Sequence, residues 1–321
     1  MTESHHRLKR AQGCMIGQLA GDALGSQVEF QTPDFIRNAY PAGVREIRGS
    51  RIWNTIAGQP TDDSEMALLL ARMLVEHGRY DPDLAFTQYQ YWLNSAPFDI
   101  GNTICSGLRG SPNYESQANG AMMRASPLGI FGSGYPLKQV AEWAEQDAML
   151  THPNKLCLKV NALFCMAIAY SIESAVTPGK LYRLIRGWTI EIDSPRELID
   201  AVIEAGKAPP DDYVFQQGWV LIAFRNALWQ LCHAVSFESA LIDTVMQGGD
   251  TDTNGAICGA LLGAIYGLDG IPDRWTECIL ACRPESGVEG IHRPRPECFW
   301  PVDALELSTR LINSGSQAIS K

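Results

Sequence analysis

Apolar residues recur at three- and four-residue spacing along most of the chain, the pattern of helices that bury one face. On that basis helices are predicted over residues 8–24, 64–77, 84–93, 137–150, 156–172, 218–233, 237–246, 254–266 and 304–312. Alternating runs that would read as strands are scarce. The stretch Ile257-Cys258-Gly259-Ala260-Leu261-Leu262-Gly263-Ala264-Ile265 is apolar on every side, which predicts a buried helix. Gly255, Gly259 and Gly263 stand four residues apart on it, so a neighbouring backbone can come close; this stripe reads as packing rather than a ligand site. Loops are expected at 31–60, 96–119, 209–213 and 283–301, and the second, rich in Gly, Ser, Asn and Pro, is the one expected to carry function. With no internal repeat, heptad run or linker, the prediction is an all-α fold, a single compact multi-helix domain over residues 1–321.

Composition narrows the classes. The 321 residues are 45% hydrophobic and 19% charged, as in soluble globular proteins. A net charge of -10 argues against nucleic acid or an anionic membrane as partner. A small anionic substrate stays open if a cation supplies positive charge locally. The start, Met1-Thr2-Glu3-Ser4-His5-His6-Arg7, is polar and lacks a signal-peptide core, and no uninterrupted apolar run is expected to span a bilayer. Nine cysteines without a CxxC pair fit reduced thiols, so a cytoplasmic location is expected.

Candidate chemistry sits at two predicted helix starts in opposite halves of the chain. Thr61-Asp62-Asp63 precedes Ser64, and Asp250-Thr251-Asp252-Thr253 precedes Asn254. Either alone reads as an ordinary cap against the helix dipole. Capping does not explain why both carry paired carboxylates with a threonine hydroxyl. If the fold brings them together, their repulsion demands protonation or a counter-cation. All-oxygen ligands suit Mg²⁺, Mn²⁺ or Ca²⁺ rather than zinc. The glycine-rich run from Gly13 to Gly25 lacks the Lys and Ser/Thr of a phosphate-binding P-loop and lies within a helical pattern, so it reads as a packed helix.

Five segments, in order, carry a further signal: Gly21-Asp22-Ala23-Leu24-Gly25 with Val28-Glu29-Phe30; Thr61-Asp62-Asp63-Ser64; Asp99-Ile100-Gly101-Asn102-Thr103; Asn119-Gly120-Ala121-Met122-Met123-Arg124; and Gln247-Gly248-Gly249-Asp250-Thr251-Asp252-Thr253-Asn254. A Thr151-His152 pair fits between the last two. In these the chain resembles the ADP-ribosylglycohydrolase family, most closely its dinitrogenase reductase-activating glycohydrolase branch. The resemblance runs over 13–267, with residues 268–321 expected to pack on the same domain.

The resemblance implies an all-α fold around a binuclear centre of two Mg²⁺ (or Mn²⁺), held by Thr61, Asp62, Asp63, Asp250, Asp252 and Thr253. Those are the residues the acidic helix starts already single out. It implies catalytic roles for Asp99, in acid/base chemistry, and Glu29, near the metals and the distal ribose. Taken alone, Asp99 is a turn former before Gly101 and Glu29 a solvated surface acid. Asn119, Gly120 and Met122 resemble the loop that receives the diphosphate and ribose, where glycine lets amides approach phosphate. Arg124 reads either as a phosphate contact or as a structural salt bridge. His152 resembles a substrate-lining residue, or else caps a helix. Trp219 stands where many relatives carry Tyr, and reads as an adenine platform without the phenolic hydroxyl, or as core.

The implied activity is metal-dependent hydrolysis of the N-glycosidic bond between ADP-ribose and a protein arginine, with an ADP-ribosylated protein as partner. Two alternatives remain: an O-linked (serine or polymer) ADP-ribose hydrolase, or an immunity-type protein that counters an ADP-ribosyltransferase toxin by hydrolysis or binding.

Overall fold

The computed structural model describes residues 3–319. In order along the chain the α-helices are α1 (Glu3–Gly25), α2 (Pro33–Ala39), α3 (Asp62–His77), α4 (Pro82–Asn94) and α5 (Asn102–Leu108), then α6 (Ser126–Phe131), α7 (Leu137–Met149), α8 (Lys155–Glu173), α9 (Pro178–Glu191) and α10 (Arg196–Ala205). The last five are α11 (Val220–His233), α12 (Phe237–Met246), α13 (Thr251–Tyr266), α14 (Asp273–Ala281) and α15 (Ala304–Ile319). Among the described residues there is no strand, only an isolated antiparallel bridge between Ala118 and Trp219.

Among the described residues all nine predicted helices are present, and six more accompany them. The structure corrects two loop predictions, since α2 lies within 31–60 and α5 within 96–119. These two and α6 span only two turns, too short for a helical period to stand out. In α10 the signal is present: Leu198, Val202 and Ala205 form its buried stripe.

The glycine stripe of α13 finds its partner in α1. Gly263 faces Gly13, Gly259 faces Gly17, Gly255 faces Gly21, and Thr251 faces Gly25, so the helices run antiparallel. A Cβ on any of these α1 glycines would overlap the facing carbonyl. The backbones therefore touch, as only glycine permits. This geometry sets the site, because it lays the C-terminal turn of α1, with Asp22, beside the acidic start of α13.

Around this pair the remaining helices share one hydrophobic cluster that includes Ala11 of α1, Phe164 of α8, Leu261 of α13, Trp275 of α14 and Leu311 of α15. Helices α11 and α12 lie against α13, α7 against α8, and α15 against α1, α3 and α6. By length and composition α8 could cross a membrane, unlike the expectation from the sequence; 78% of its apolar window is buried inside the protein, so its apolarity serves the core.

Candidate active site

The start of α3 is capped from another helix. Thr61 occupies the N-cap position without making a side-chain cap bond. Asp22, fully buried at the end of α1, does that work: its carboxylate accepts from the Thr61 amide (3.2 Å), the Thr61 hydroxyl (2.9 Å) and the Ser64 amide (3.2 Å). Asp62 and Asp63 are thereby freed from capping. The two acidic starts meet where the Thr253 hydroxyl donates to Asp63 Oδ2 (3.4 Å), an oxygen that also lies 3.2 Å from the Thr61 hydroxyl. Asp63 Oδ1 is buried and has no hydrogen-bond partner among the described residues.

Two loops close on this junction. Gly248 and Gly249, both at φ +74°, turn the chain into α13, and Gly249 exchanges backbone bonds with Phe30 (2.8 Å) and Gln31 (3.0 Å). That pins the segment carrying Glu29 to the acidic start. The Asn119 Nδ2 group donates to Asp250 Oδ2 (2.7 Å), and its backbone amide donates to the Gly218 carbonyl (3.0 Å). Glu29, Asp250 and Asp252 each offer an oxygen within 4.8 Å of the others. Trp53 Nε1 donates to Glu29 Oε2, while its ring sits near Phe30 and Phe98, with centroids 6.3 and 6.0 Å away.

These groups line a cleft of about 420 Å³. Ten of the predicted site residues face it: Glu29, Asp62, Asp63, Asp99, Asn119, Gly120, His152, Asp250, Asp252 and Thr253. Three do not. Thr61 is fully buried beneath the carboxylates, where it ties Asp22 to Asp63. Met122 is turned into the core by the tight turn whose bond runs from its amide to the Asn119 carbonyl (2.8 Å), and Met123 faces the cleft instead. Trp219 belongs to an adjoining groove, where its Nε1 donates to Gln117 Oε1 (2.8 Å). Arg124 is no phosphate contact: fully buried, it pairs with Asp147 (3.0 Å). Sequence reading assigned no role to Asp22, although a carboxylate in a row of small residues was a signal. Trp53, in a predicted loop, gave none.

Among the described residues six carboxylates line the cleft, and no Lys or Arg does. Burial raises all six, and repulsion from neighbouring acids adds to it for all but Asp250. Glu29 is pushed up to about 8 by burial and then by Asp99 and Asp250, and Asp99 up to about 6, mainly by burial. Asp62, Asp63 and Asp252 are held well above the carboxylate range, first by burial and then by neighbouring acids; Asp250 is raised by burial. Beneath them, burial lifts Asp22 to about 7. The helix starts supply only partial positive charge. Such a cluster needs protons or cations, and the orphaned Asp63 oxygen among all-oxygen donors fits a hard divalent ion. His152 goes the other way: burial and the nearby Arg124 depress it to about 3, so its ring is neutral.

Comparison with known proteins agrees with this geometry. The sequence profile of the ADP-ribosylglycohydrolase family matches residues 3–293. The chain is 32% identical to the ADP-ribosyl-(dinitrogen reductase) glycohydrolase of Rhodospirillum rubrum, over 83% of this chain and 88% of that one. It is 28% identical to the ADP-ribosylarginine hydrolase Tri1 of Pseudomonas putida (strain GB-1), over 84% of this chain and 74% of that one. Among solved structures it resembles an ADP-ribosylglycohydrolase-related protein complex, with a TM-score of 0.78 at 25% identity, covering 97% of this chain and 99% of that one. An all-α frame that carries two acidic helix starts into one cleft, matched over most of its length, makes this chain a member of the ADP-ribosylglycohydrolase family and a hydrolase of ADP-ribosyl bonds.

Proposed function

We propose that this chain removes ADP-ribose from modified arginine side chains of proteins, with two Mg²⁺ or Mn²⁺ ions held by Thr61, Asp62, Asp63, Asp250, Asp252 and Thr253. The observation that carries the metal reading is the meeting of six carboxylates in a cleft that, among the described residues, no Lys or Arg lines. Bound there, the ions would offset the acidic charge and supply Lewis acidity toward water and ribose hydroxyls.

The chain's own groups divide the remaining work. Asp99 stands half-buried at the cleft, on a loop that leads to Gly101 and α5. From there it delivers a proton to the departing nitrogen, which a guanidine needs to leave well. Glu29, fixed by Trp53, orients water and the distal ribose. Gly120 leaves the backbone open to a diphosphate, and Asn119 holds Asp250. The arginine linkage is supported by the ADP-ribosylarginine hydrolase named above, at 28% identity. Nine free cysteines support a reducing, cytoplasmic setting, and the shared core of α1 through α15 supports a single domain.

The test is release of free ADP-ribose from an arginine-ADP-ribosylated protein, with Mg²⁺ or Mn²⁺ and with EDTA, beside the double variant Asp62→Ala/Asp252→Ala. Release by the native chain alone, abolished by EDTA, is expected. Release only from a serine-linked substrate would overturn the arginine assignment; release unaffected by EDTA would overturn the metal reading.

A further inference from the structure

Behind the wall of the cleft runs a chain of five buried polar side chains that bond cleavage does not use. The Tyr89 hydroxyl donates to Asp147 Oδ1 (2.8 Å). Arg124 donates through Nε to Asp147 Oδ2 (3.0 Å), through Nη2 to the Asp147 carbonyl (2.9 Å) and through Nη1 to the Thr151 hydroxyl (3.0 Å). That hydroxyl lies 2.8 Å from His152 Nδ1. All five side chains are fully buried.

The guanidinium sets the polarity of the whole chain, because it has donors only. Thr151 Oγ1 must accept from it, and its single proton has one acceptor among the described residues, His152 Nδ1. Were Nδ1 protonated, the threonine proton would be buried without a partner. Nδ1 is therefore an acceptor and the ring proton sits on Nε2. Nε2 is buried, has no hydrogen-bond partner among the described residues, and belongs to a residue that lines the cleft. Its ring lies beside the Asn119–Gly120 turn: a Cβ on Gly120 would stand 3.2 Å from His152 Cε1. Helix α5 holds the relay in place, since a Cβ on Gly107 would meet Thr151 Cα at 2.7 Å.

We propose that Arg124 and Thr151 are positioning residues that fix His152 as a neutral, permanent hydrogen-bond donor, its Nε2–H directed at an acceptor oxygen of ADP-ribose seated on the Asn119–Gly120 turn. The ligand in this statement rests on the function proposed above; the tautomer does not. In this role His152 binds and orients, and it transfers no proton.

The test uses the intact chain with ¹⁵N-labelled histidine, whose six imidazoles are few enough to assign by substitution. The expected His152 spectrum is that of an Nε2–H imidazole, with the Nε2 signal moving when ADP-ribose is added. An Nδ1–H or imidazolium spectrum overturns the proposal even if the chain is an active hydrolase. The right tautomer with no response to saturating ADP-ribose overturns the assigned ligand contact, whereas the release assay above decides the substrate of the hydrolase. Thr151→Val keeps the shape and removes the hydroxyl; it is expected to mix the tautomers and weaken ADP-ribose binding about tenfold, roughly the worth of one hydrogen bond. Thr151→Ser is expected to restore both. Unchanged binding in a folded Thr151→Val, or no recovery in a folded Thr151→Ser, refutes the positioning role; if the valine variant does not fold, the native spectrum decides.

Discussion

Glycine is a poor residue for the interior of a helix, and replacing it by alanine there is worth up to about 1 kcal/mol. In this fold one exposed helix should follow that rule and the central pair should invert it. Gly187 lies exposed within α9, and a Cβ there meets nothing within 4 Å, so Gly187→Ala is expected to stabilise by about 0.5–1 kcal/mol. Gly17 lies within α1 against Gly259, well away from the acidic end. A Cβ there would overlap the Gly259 carbonyl oxygen and stand 2.9 Å from its carbon. That oxygen is backbone within α13, so the clash is relieved only by parting the helices. Overpacking of this kind costs about 1–3 kcal/mol, and against a rigid backbone the upper end applies. Subtracting the propensity gain of about 1 kcal/mol leaves a net loss of about 2 kcal/mol. Urea unfolding of both variants beside the native chain, followed by circular dichroism, reads the two signs. A Gly17→Ala protein as stable as the native one would refute the reasoning that backbone contact sets the α1–α13 distance.

Three further outcomes follow. Trp53→Phe keeps the aromatic contacts to Phe30 and Phe98 but removes the donor to Glu29, and is expected to lower kcat/KM for ADP-ribosyl-arginine about tenfold with unchanged helicity; an unaltered value would show that Glu29 needs no anchor. Without divalent cations the raised carboxylates make the folded chain bind more protons than the unfolded one between their ordinary range and about 8, so stability must fall as pH rises through that window. Thermal melts in EDTA from pH 5 to 8 should show that fall and melts in Mg²⁺ a flatter profile; a melting temperature that rises with pH in EDTA would contradict it. Arg295 clasps Glu65 with bonds of 2.7 and 2.8 Å, both side chains being nearly inaccessible, so Arg295→Met strands a buried carboxylate and should cost about 3–5 kcal/mol, with partial recovery on adding Glu65→Gln; chemical denaturation of the two variants checks this.

What could be read from the chain was what is local. The acidic starts of α3 and α13 announce themselves because a cap, a pair of carboxylates and a hydroxyl occupy neighbouring positions. The stripe of Gly255, Gly259 and Gly263 announced a close approach without naming its partner in α1. Glu29 and Asp99 carry no local mark of function and were reached through resemblance. The relay from Tyr89 through Asp147, Arg124 and Thr151 joins residues from three separate parts of the chain, and no periodicity predicts it. Met122 and Met123 differ by one step in a tight turn, which decides which of them faces the cleft. Trp219 follows the same logic at the bridge to Ala118, which leaves its ring in the neighbouring groove.

The glycine seam also orders events in time. Helix α1 leaves the ribosome before the helix it fits, with more than two hundred residues synthesised between them. At about 5–20 residues per second that is an interval of roughly ten seconds or more. Throughout it the bare glycine face of α1 has no mate, and the acids of α3 stand without those of α13. The charge-dense cleft therefore does not exist in any nascent fragment that ends before Tyr266. Its repulsion, and its demand for a cation, arise only once the start of α13 has been made and has met α1.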